Sequence, residues 1–341
     1  MPQFVELFEV VRVSEMTSAQ TKRLLHYFQQ RAERHYEVTI EREALDIAYL
    51  LLSRFERQES FPGKAIKFLN HCLSDALLYQ RAQVTQSHVI AEFVKRSGLP
   101  EIILRDDLLL DEQHLSEFFE SRIIGQPQAL TYIYQMIQLF KVGLNDPHKP
   151  ISTLLFAGPT GVGKTACAHA IADYFFGQGQ RRRPLIHLDM SEFQHPIHIE
   201  RLLGARGQSA GRLVEQVRES PFSVILLDEI EKAHPVVFDV LLSVFDEGVL
   251  YDVFGRATYF YNTIIIMTSN LGVNQSRSMG FTSPSGNPFL EGVKAFFRPE
   301  FFNRIDNVIP FSALDQEQIT LITRKELDEI SSKIYSLWGQ R

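Results

Sequence analysis

The sequence predicts an α/β fold: a largely parallel sheet covered on both faces by helices, preceded by a small helical domain. Three observations carry this reading. Apolar β-type runs at Ser152–Ala157, Leu185–Leu188, Val224–Leu227 and Thr263–Thr268 alternate with helical stretches, the texture of a parallel sheet buried on both sides. Up to about residue 100 the apolar residues recur at helical spacing, with short connections. A glycine-rich loop, 158–163, joins the first of those strands to an alanine-rich helix.

Taken in order, Phe8 to Val13 reads as the tail of a strand. Thr17 precedes Gln20 at capping-box spacing and opens a helix carrying Leu24, Leu25 and Phe28 on one stripe. A second helix runs through Ala44, Leu45, Ile47, Ala48 and Leu51, and the stripe Leu50-Leu51-Leu52 reads as core. Pro62 suits the first turn of a third helix, which buries Ile66, Leu69 and Leu73. Thr85 caps a fourth, reaching about Arg96 before Gly98 and Pro100 end it. From Glu101 to Glu120 the chain is acidic and leucine-bearing, as expected of a linker that packs on a neighbouring element. The strands follow, and from Asp315 onward one amphipathic helix closes the sequence.

The 341 residues suggest two or three domains. Thirty-five basic against 41 acidic residues give a net charge of −6, which removes the electrostatic motive for a dedicated nucleic-acid binder. On the same ground, Arg181-Arg182-Arg183 reads as a solvated loop. Cys72 and Cys167 lie far apart in no metal-ligand spacing. His187, His195, His198 and His234 show no convergent metal spacing and read as ordinary helix or surface residues. No run of about 18 apolar residues spans a bilayer, and Met1–Glu6 lacks the basic head of a secretory signal. A reducing, cytoplasmic compartment is expected.

The strongest motif is Gly158-Pro159-Thr160-Gly161-Val162-Gly163-Lys164-Thr165, which fits G-x-x-x-x-G-K-[ST] between a strand and a helix. Glycines let successive backbone N–H groups curl around a phosphate, and the helix N-terminus adds partial positive charge. Lys164 then supplies a point charge to the β- and γ-phosphates of ATP, and the Thr165 hydroxyl coordinates Mg²⁺. The alternative is a chance glycine-rich turn. Ser223–Leu227 is an apolar strand ending in Asp228-Glu229, whose carboxylates would reach the crevice at the carboxyl edge of the sheet. Asp228 would hold Mg²⁺ through water, and Glu229 would polarise the attacking water. Alone, such a pair is more often a turn or helix cap. A third strand ends in Asn270, which would orient the same water or, equally, cap a turn before Gly272.

Longer strings carry a resemblance. Leu227-Asp228-Glu229-Ile230-Glu231-Lys232-Ala233-His234-Pro235, Met267-Thr268-Ser269-Asn270-Leu271-Gly272 and Phe297-Arg298-Pro299-Glu300-Phe301-Phe302-Asn303-Arg304-Ile305-Asp306 resemble the second ATPase ring of Clp-type AAA+ unfoldases. Asp189-Met190-Ser191-Glu192-Phe193 is similar to the family's segment after its second strand. Ile123-Ile124-Gly125-Gln126 is similar to the segment that lines the family's adenine pocket, which implies nucleotide contact by Ile123 and Ile124. Phe61-Pro62-Gly63-Lys64-Ala65-Ile66 resembles the small domain closing the first ring, with Gly63 where an Asp is usual. The resemblance implies a P-loop AAA+ three-layer α/β domain over 121–312. It implies a lid-like helical domain of the first module over 1–100, a linker over 101–120, and the start of a second, truncated lid over 313–341. The chain then reads as a fragment of a longer protein or the product of a shortened gene.

ATP hydrolysis between subunits of a hexameric ring, coupled to protein remodelling, is what the resemblance further implies. Arg304 becomes the arginine finger reaching a neighbour's γ-phosphate, because its planar fork spreads charge over the phosphoryl oxygens. In isolation Arg304 reads as a surface residue pairing with Asp306, and Asn303 and Arg298 read as structural neighbours. The sequence departs where the family carries a glycine-aromatic pore loop: 206–212 holds no aromatic. Tyr251 and Phe254 are of a type that takes over substrate contact, although two packed or surface aromatics is the favoured reading. The family's sensor-two arginine lies in the small domain beyond Arg341, so weaker nucleotide binding than in an intact subunit is expected. Met279-Gly280-Phe281 sits where relatives dock a barrel peptidase, or is an ordinary loop. An ATP-driven unfoldase subunit acting on protein substrates leads. A non-threading ring component using ATP as a switch is the alternative, and a nucleic-acid ATPase the third.

Overall fold

The computed structural model describes residues 11, 13–177, 185–204, 211–252, 254–272 and 288–338. The expectations for residues 8–10, for Arg181-Arg182-Arg183, for most of the 206–212 segment and for Met279-Gly280-Phe281 lie outside them. The chain divides into two units, 1–96 and 97–341.

In the first unit, α1 (Ser18–Tyr36) opens on the expected box. Gln20 N donates to Thr17 Oγ1 at 3.4 Å, and Thr17 N donates to Gln20 Oε1 at 3.0 Å. A two-residue strand β1 (Thr39–Ile40) leads to α2 (Arg42–Phe55), then α3 (Gly63–Leu78), β2 (Gln83–Val84) and α4 (Gln86–Ser97). Pro62 stands one residue before α3, at its N-cap, and His88 N donates to Thr85 Oγ1 at 3.3 Å at the start of α4. The strands, absent from the sequence reading, pair in parallel and join the α1–α2 turn to the α3–α4 turn. Phe93 is the core's hub, with ring centroids 5.6 Å from Phe55 and 6.0 Å from Phe68. Leu51 and Leu52 join it, but Leu50 points outward and is 44% exposed, so the leucine stripe is only partly core. Lys64 is buried beside it. Its ammonium donates to the Glu56 carbonyl at 2.7 Å and lies 4.0 Å from the Phe61 ring centroid, and burial lowers its pKa.

The second unit begins with two helices in the stretch read as a linker: α5 (Glu101–Leu104) and α6 (Glu112–Glu120). Asp111 caps α6 by accepting from Gln113 N and His114 N, both at 3.1 Å. Ile103, Leu104, Leu115 and Phe119 are buried, and Phe119 meets Tyr174 at 5.2 Å between ring centroids. After α7 (Pro127–Lys141) the strands alternate with helices. These are β3 (Ser152–Ala157), α8 (Lys164–Phe176), β4 (Leu185–Asp189), α9 (Pro196–Leu203), α10 (Arg212–Glu219), β5 (Ser223–Asp228) and α11 (Pro235–Glu247). A short antiparallel hairpin, β6 (Val249–Tyr251) with β7 (Ala257–Tyr259), precedes β8 (Thr263–Ser269). Then come α12 (Pro288–Phe296), α13 (Pro299–Phe302), β9 (Asn307–Pro310) and α14 (Gln316–Trp338).

The five main strands lie parallel in the order β4-β5-β8-β3-β9. Central β3 and β8 are buried at every residue, as their unbroken apolar runs require, whereas edge strand β4 alternates. β3 leads its helix out of the carboxyl edge, next to the ends of β5 and β8, which is where doubly wound sheets bind ligands. Thus the strand order places the glycine loop, Asp228 and Asn270 at one crevice. Phe297 and Phe301 stack at 5.1 Å beneath α11 and complete the core on that face.

Candidate nucleotide site

The glycine loop leaves β3 at Ala157 and turns into α8 through Gly161 at φ +81° and Gly163 at φ +101°. An added Cβ at either would meet no atom within 4 Å. The loop therefore encloses open space into which side chains would intrude, and α8 begins at its rim with amides unpaired by the helix. Gly158 is required for a different reason: a Cβ there would collide with the Phe311 carbonyl.

Lys164, only 8% exposed, folds its ammonium back over this loop. It donates to the Gly158 carbonyl, to the Pro159 carbonyl at 2.9 Å and to Asn270 Oδ1 at 2.9 Å. The same Asn270 oxygen accepts from Thr160 Oγ1 at 3.3 Å. Asn270 therefore faces the loop rather than capping a turn. Its amide Nδ2 donates to Glu229 Oε1 at 3.3 Å, and its backbone N donates to Glu231 Oε1 at 3.0 Å. Asp228 accepts from the Thr268 hydroxyl on one oxygen and faces His187 Nε2 at 3.4 Å on the other. Glu229 sits at φ +55°, a left-handed conformation unusual for a side-chain-bearing residue, with its N–H on Thr268 Oγ1 at 3.0 Å. Its carboxylate forms an ion pair with Lys232.

A cleft of about 330 Å³ results, lined by Thr160, Gly161, Gly163, Lys164, Thr165, Asp228, Glu229, Thr268 and Asn270. Pro159 contributes its carbonyl to Lys164. Val162 offers its carbonyl to Gln126 Nε2 at 3.2 Å, and that amide also donates to the Ser312 carbonyl at 3.0 Å. Buried Gln126 thus ties the segment before α7 to the loop. Ile123 is buried and Ile124 half-buried, and neither lines this cleft. The oxygen donors facing the cleft, from Thr165, Asp228 and Thr268, are of the hard type a magnesium ion takes. Among the described residues no cluster of three His, Cys, Asp or Glu forms a metal site on protein ligands alone.

Arg304 lies elsewhere. It follows α13 and forms an ion pair through Nε with Asp246 in the last turn of α11. The expected pairing with Asp306 is not made. Asp306 Oδ2 accepts from Thr153 N at 2.7 Å and Ser152 Oγ at 3.2 Å, pinning the start of β3. Sequence reasoning also missed Thr268, Glu231, Lys232 and Gln126. His187, read as an ordinary helix or surface residue, lies on β4 beside Asp228. Tyr251 and Phe254 are 65% and 53% exposed on the β6–β7 hairpin.

A model of the AAA domain (Cdc48 subfamily) matches residues 149–308, and one of an AAA lid domain matches 17–99. The chaperone protein ClpB3, chloroplastic, of Arabidopsis thaliana is 38% identical over 323 residues, 89% of this chain and 32% of the relative. The chaperone protein ClpB of Pseudomonas putida is 39% identical over 260 residues, 74% of this chain and 30% of the relative. This chain belongs to the Clp-type AAA+ family. It spans about a third of the length of these curated relatives. Solved structures similar to this Clp-type chain include a closed-state reconstruction of Hsp104 with ATPγS and FITC casein. That match has a TM-score of 0.79 at 28% identity and covers 96% of this chain and 58% of that one. The S. cerevisiae Hsp104–ADP complex matches with a TM-score of 0.78 at 29% identity, covering 98% and 59%.

The site makes a pH prediction. Burial pushes the Lys164 ammonium down from 10.5 to about 8, against the opposing pull of Glu231, Asp228 and Glu229. With the folded value below the unfolded one, burying the charge costs stability below about pH 8, and that cost fades as pH rises toward 10.5. A bound polyphosphate favours the charged form, so binding near pH 8 takes up a fraction of a proton. Calorimetry in two buffers of different ionisation heat should show uptake at pH 8 in the parent and none at that pH in Lys164→Met. Equal heats in both buffers at pH 8 would contradict it.

Proposed function

We propose that this chain is an ATP-binding and ATP-hydrolysing module of a Clp-type chaperone that remodels or unfolds proteins. The observation that carries the reading is the single cleft in which Lys164, Thr165, Asp228, Glu229 and Asn270 surround an open glycine cradle. In this reading residues 1–100 are a lid-like domain, 121–312 the ATPase domain, and 313–341 the start of a second lid.

The cradle amides and Lys164 bind the β- and γ-phosphates. The ammonium leaves the loop carbonyls and Asn270 for phosphate oxygens, an exchange a triphosphate repays with full charge. Thr165 and Asp228 hold Mg²⁺, which supplies positive charge to the phosphate oxygens when bound. Thr268 fixes Asp228 from behind by donating to it. Glu229 accepts a proton from the attacking water, and Asn270 orients both that carboxylate and the water. Ile123 and Ile124 are proposed to contact the adenine. Arg304, which lies outside its own cleft, is proposed to serve an adjacent subunit of a hexameric ring.

Protein substrates follow from the family and from the casein named with its structural neighbours. The net charge of −6 disfavours nucleic acid. Among the described residues no helix is long and apolar enough to cross a membrane. A cytoplasmic site is proposed, and a barrel peptidase at Met279–Phe281 remains an option of this reading. The aromatic-free 206–212 segment favours one second reading, a non-threading ring component that uses ATP as a switch. ATPase rate measured with casein or with DNA separates them. Stimulation by casein is expected. Stimulation by neither selects the switch, and stimulation by DNA alone overturns both.

A further inference from the structure

Helix α11 carries two Phe-Asp pairs seven residues apart, Phe238-Asp239 and Phe245-Asp246, so both fall on one face two turns apart. The aromatics seat Phe301 of α13, with ring centroids 5.1 Å from Phe238 and 5.5 Å from Phe245. The carboxylates reach the residues flanking α13. Asp239 Oδ1 meets Arg298 Nη1 at 3.4 Å, and Asp246 Oδ1 pairs with Arg304 Nε. Helix α11 therefore grips the short α13 by an apolar centre and an ion pair at each end.

These ion pairs are exposed, and exposed pairs contribute little to folding. Yet one of them fixes the residue read above as the arginine finger, and in a particular way. Asp246 takes the Nε edge of the guanidinium. Among the described residues nothing else accepts from Arg304, so both terminal amino groups are left for an incoming ligand. A guanidinium held by one edge presents the remaining fork in a fixed plane, the geometry that suits phosphoryl oxygens.

We propose that Asp246 is a positioning residue for Arg304, holding the finger by Nε so that its two amino groups meet the triphosphate of an adjacent subunit. The inference rests on the reading of Arg304 as a finger acting in trans. Asp239 serves as its internal control, since it makes the same kind of contact from the same helix to Arg298, read above as a structural neighbour.

Chain mixing tests this. A Lys164→Met chain donates an intact finger but has no working cleft, and an Arg304→Ala chain has a cleft but no finger. Each alone should be nearly inactive, and the mixture should recover turnover. A donor that also carries Asp246→Ala should restore about tenfold less, with KM for ATP within about twofold, as misplacement of a catalytic group requires. A donor with Asp239→Ala should restore as much as the plain donor. Asp246→Asn, which keeps an acceptor oxygen, should fall between. Thermal melting of each donor should stay near that of Lys164→Met, separating misplacement from unfolding. Equal or greater recovery with the Asp246→Ala donor overturns the inference, greater recovery marking a restraint instead of a support. An Arg304→Ala chain that retains parental turnover, or a plain donor that restores nothing, removes the finger itself and the inference with it.

Discussion

A Lys164→Met chain is expected to lose at least about a hundredfold in affinity for ATP while its ligand-free fold melts no lower than the parent's. The two halves of that outcome have separate causes. In the free chain the ammonium is buried, and its pKa sits near 8 because burial outweighs the attraction of Glu231, Asp228 and Glu229. Methionine fills a similar volume without that penalty. The Gly158 and Pro159 carbonyls and Asn270 lose a donor, but Asn270 lines the open cleft, where water replaces the ammonium, and Pro159 is only partly buried. With a triphosphate present the balance reverses, because no other cation lines the cradle among the described residues. At a hundred times its Kd, a ligand stabilises the parent by about 2.7 kcal/mol. For a unit of this size that is a rise of roughly 5–10 °C in Tm. Melting curves with and without a non-hydrolysable ATP analogue and Mg²⁺ read both halves at once. A variant that keeps the ligand-induced rise would remove Lys164 from the site, and one that melts well below the parent would show the lysine to be structural.

What made this cleft legible is that its parts are punctuated locally. Six consecutive buried residues in β3, a glycine loop and an alanine-rich helix announce themselves between Ser152 and Phe176, and the acids ending β5 are as local a signal. The strands predicted from apolar runs correspond to β3, β4, β5 and β8 to within a residue at each end. Strand β9 was missed because four residues opening on Asn307 and closing on Pro310 carry no pattern. They extend only because the outer edge of β3 offers unpaired backbone groups. The two-residue pair β1–β2 is likewise a product of tertiary pairing alone. In the site, Thr268 was hidden inside an apolar run, where its single hydroxyl was the only signal. Read in isolation, Arg304 pairs with Asp306 by nearness in sequence, yet the fold commits Asp306 to Thr153 and brings Asp246 from a helix 58 positions earlier. No spacing rule reaches that far.

Replacing Glu229 with Gln is expected to lower kcat for ATP at least about a hundredfold while leaving nucleotide affinity within a few-fold, the loss typical of a missing general base. The backbone argues for this assignment independently of the motif. After Asp228 the chain turns through a left-handed residue, and that residue is a glutamate, although a glycine would adopt the conformation without cost. A strained backbone retained with a long carboxylate is explained if the turn exists to aim that carboxylate into the cleft. Three contacts then fix its aim: the N–H to Thr268, Oε1 to Asn270 Nδ2, and Oε2 to Lys232. Glutamine keeps the shape, the backbone demand and the acceptor for Asn270, and loses only the capacity to take a proton. It also turns an amide toward Lys232 in place of a negative charge, so the ion pair at this exposed position is lost at little cost to folding. Single-turnover hydrolysis alongside equilibrium binding of a fluorescent ATP analogue separates chemistry from affinity. Were affinity to fall as far as turnover, Glu229 would be holding the ligand rather than acting on water. Unchanged turnover would transfer the proton to another group, with Asp228 at the cleft and Glu231, held by the Asn270 N–H, as the carboxylates to test.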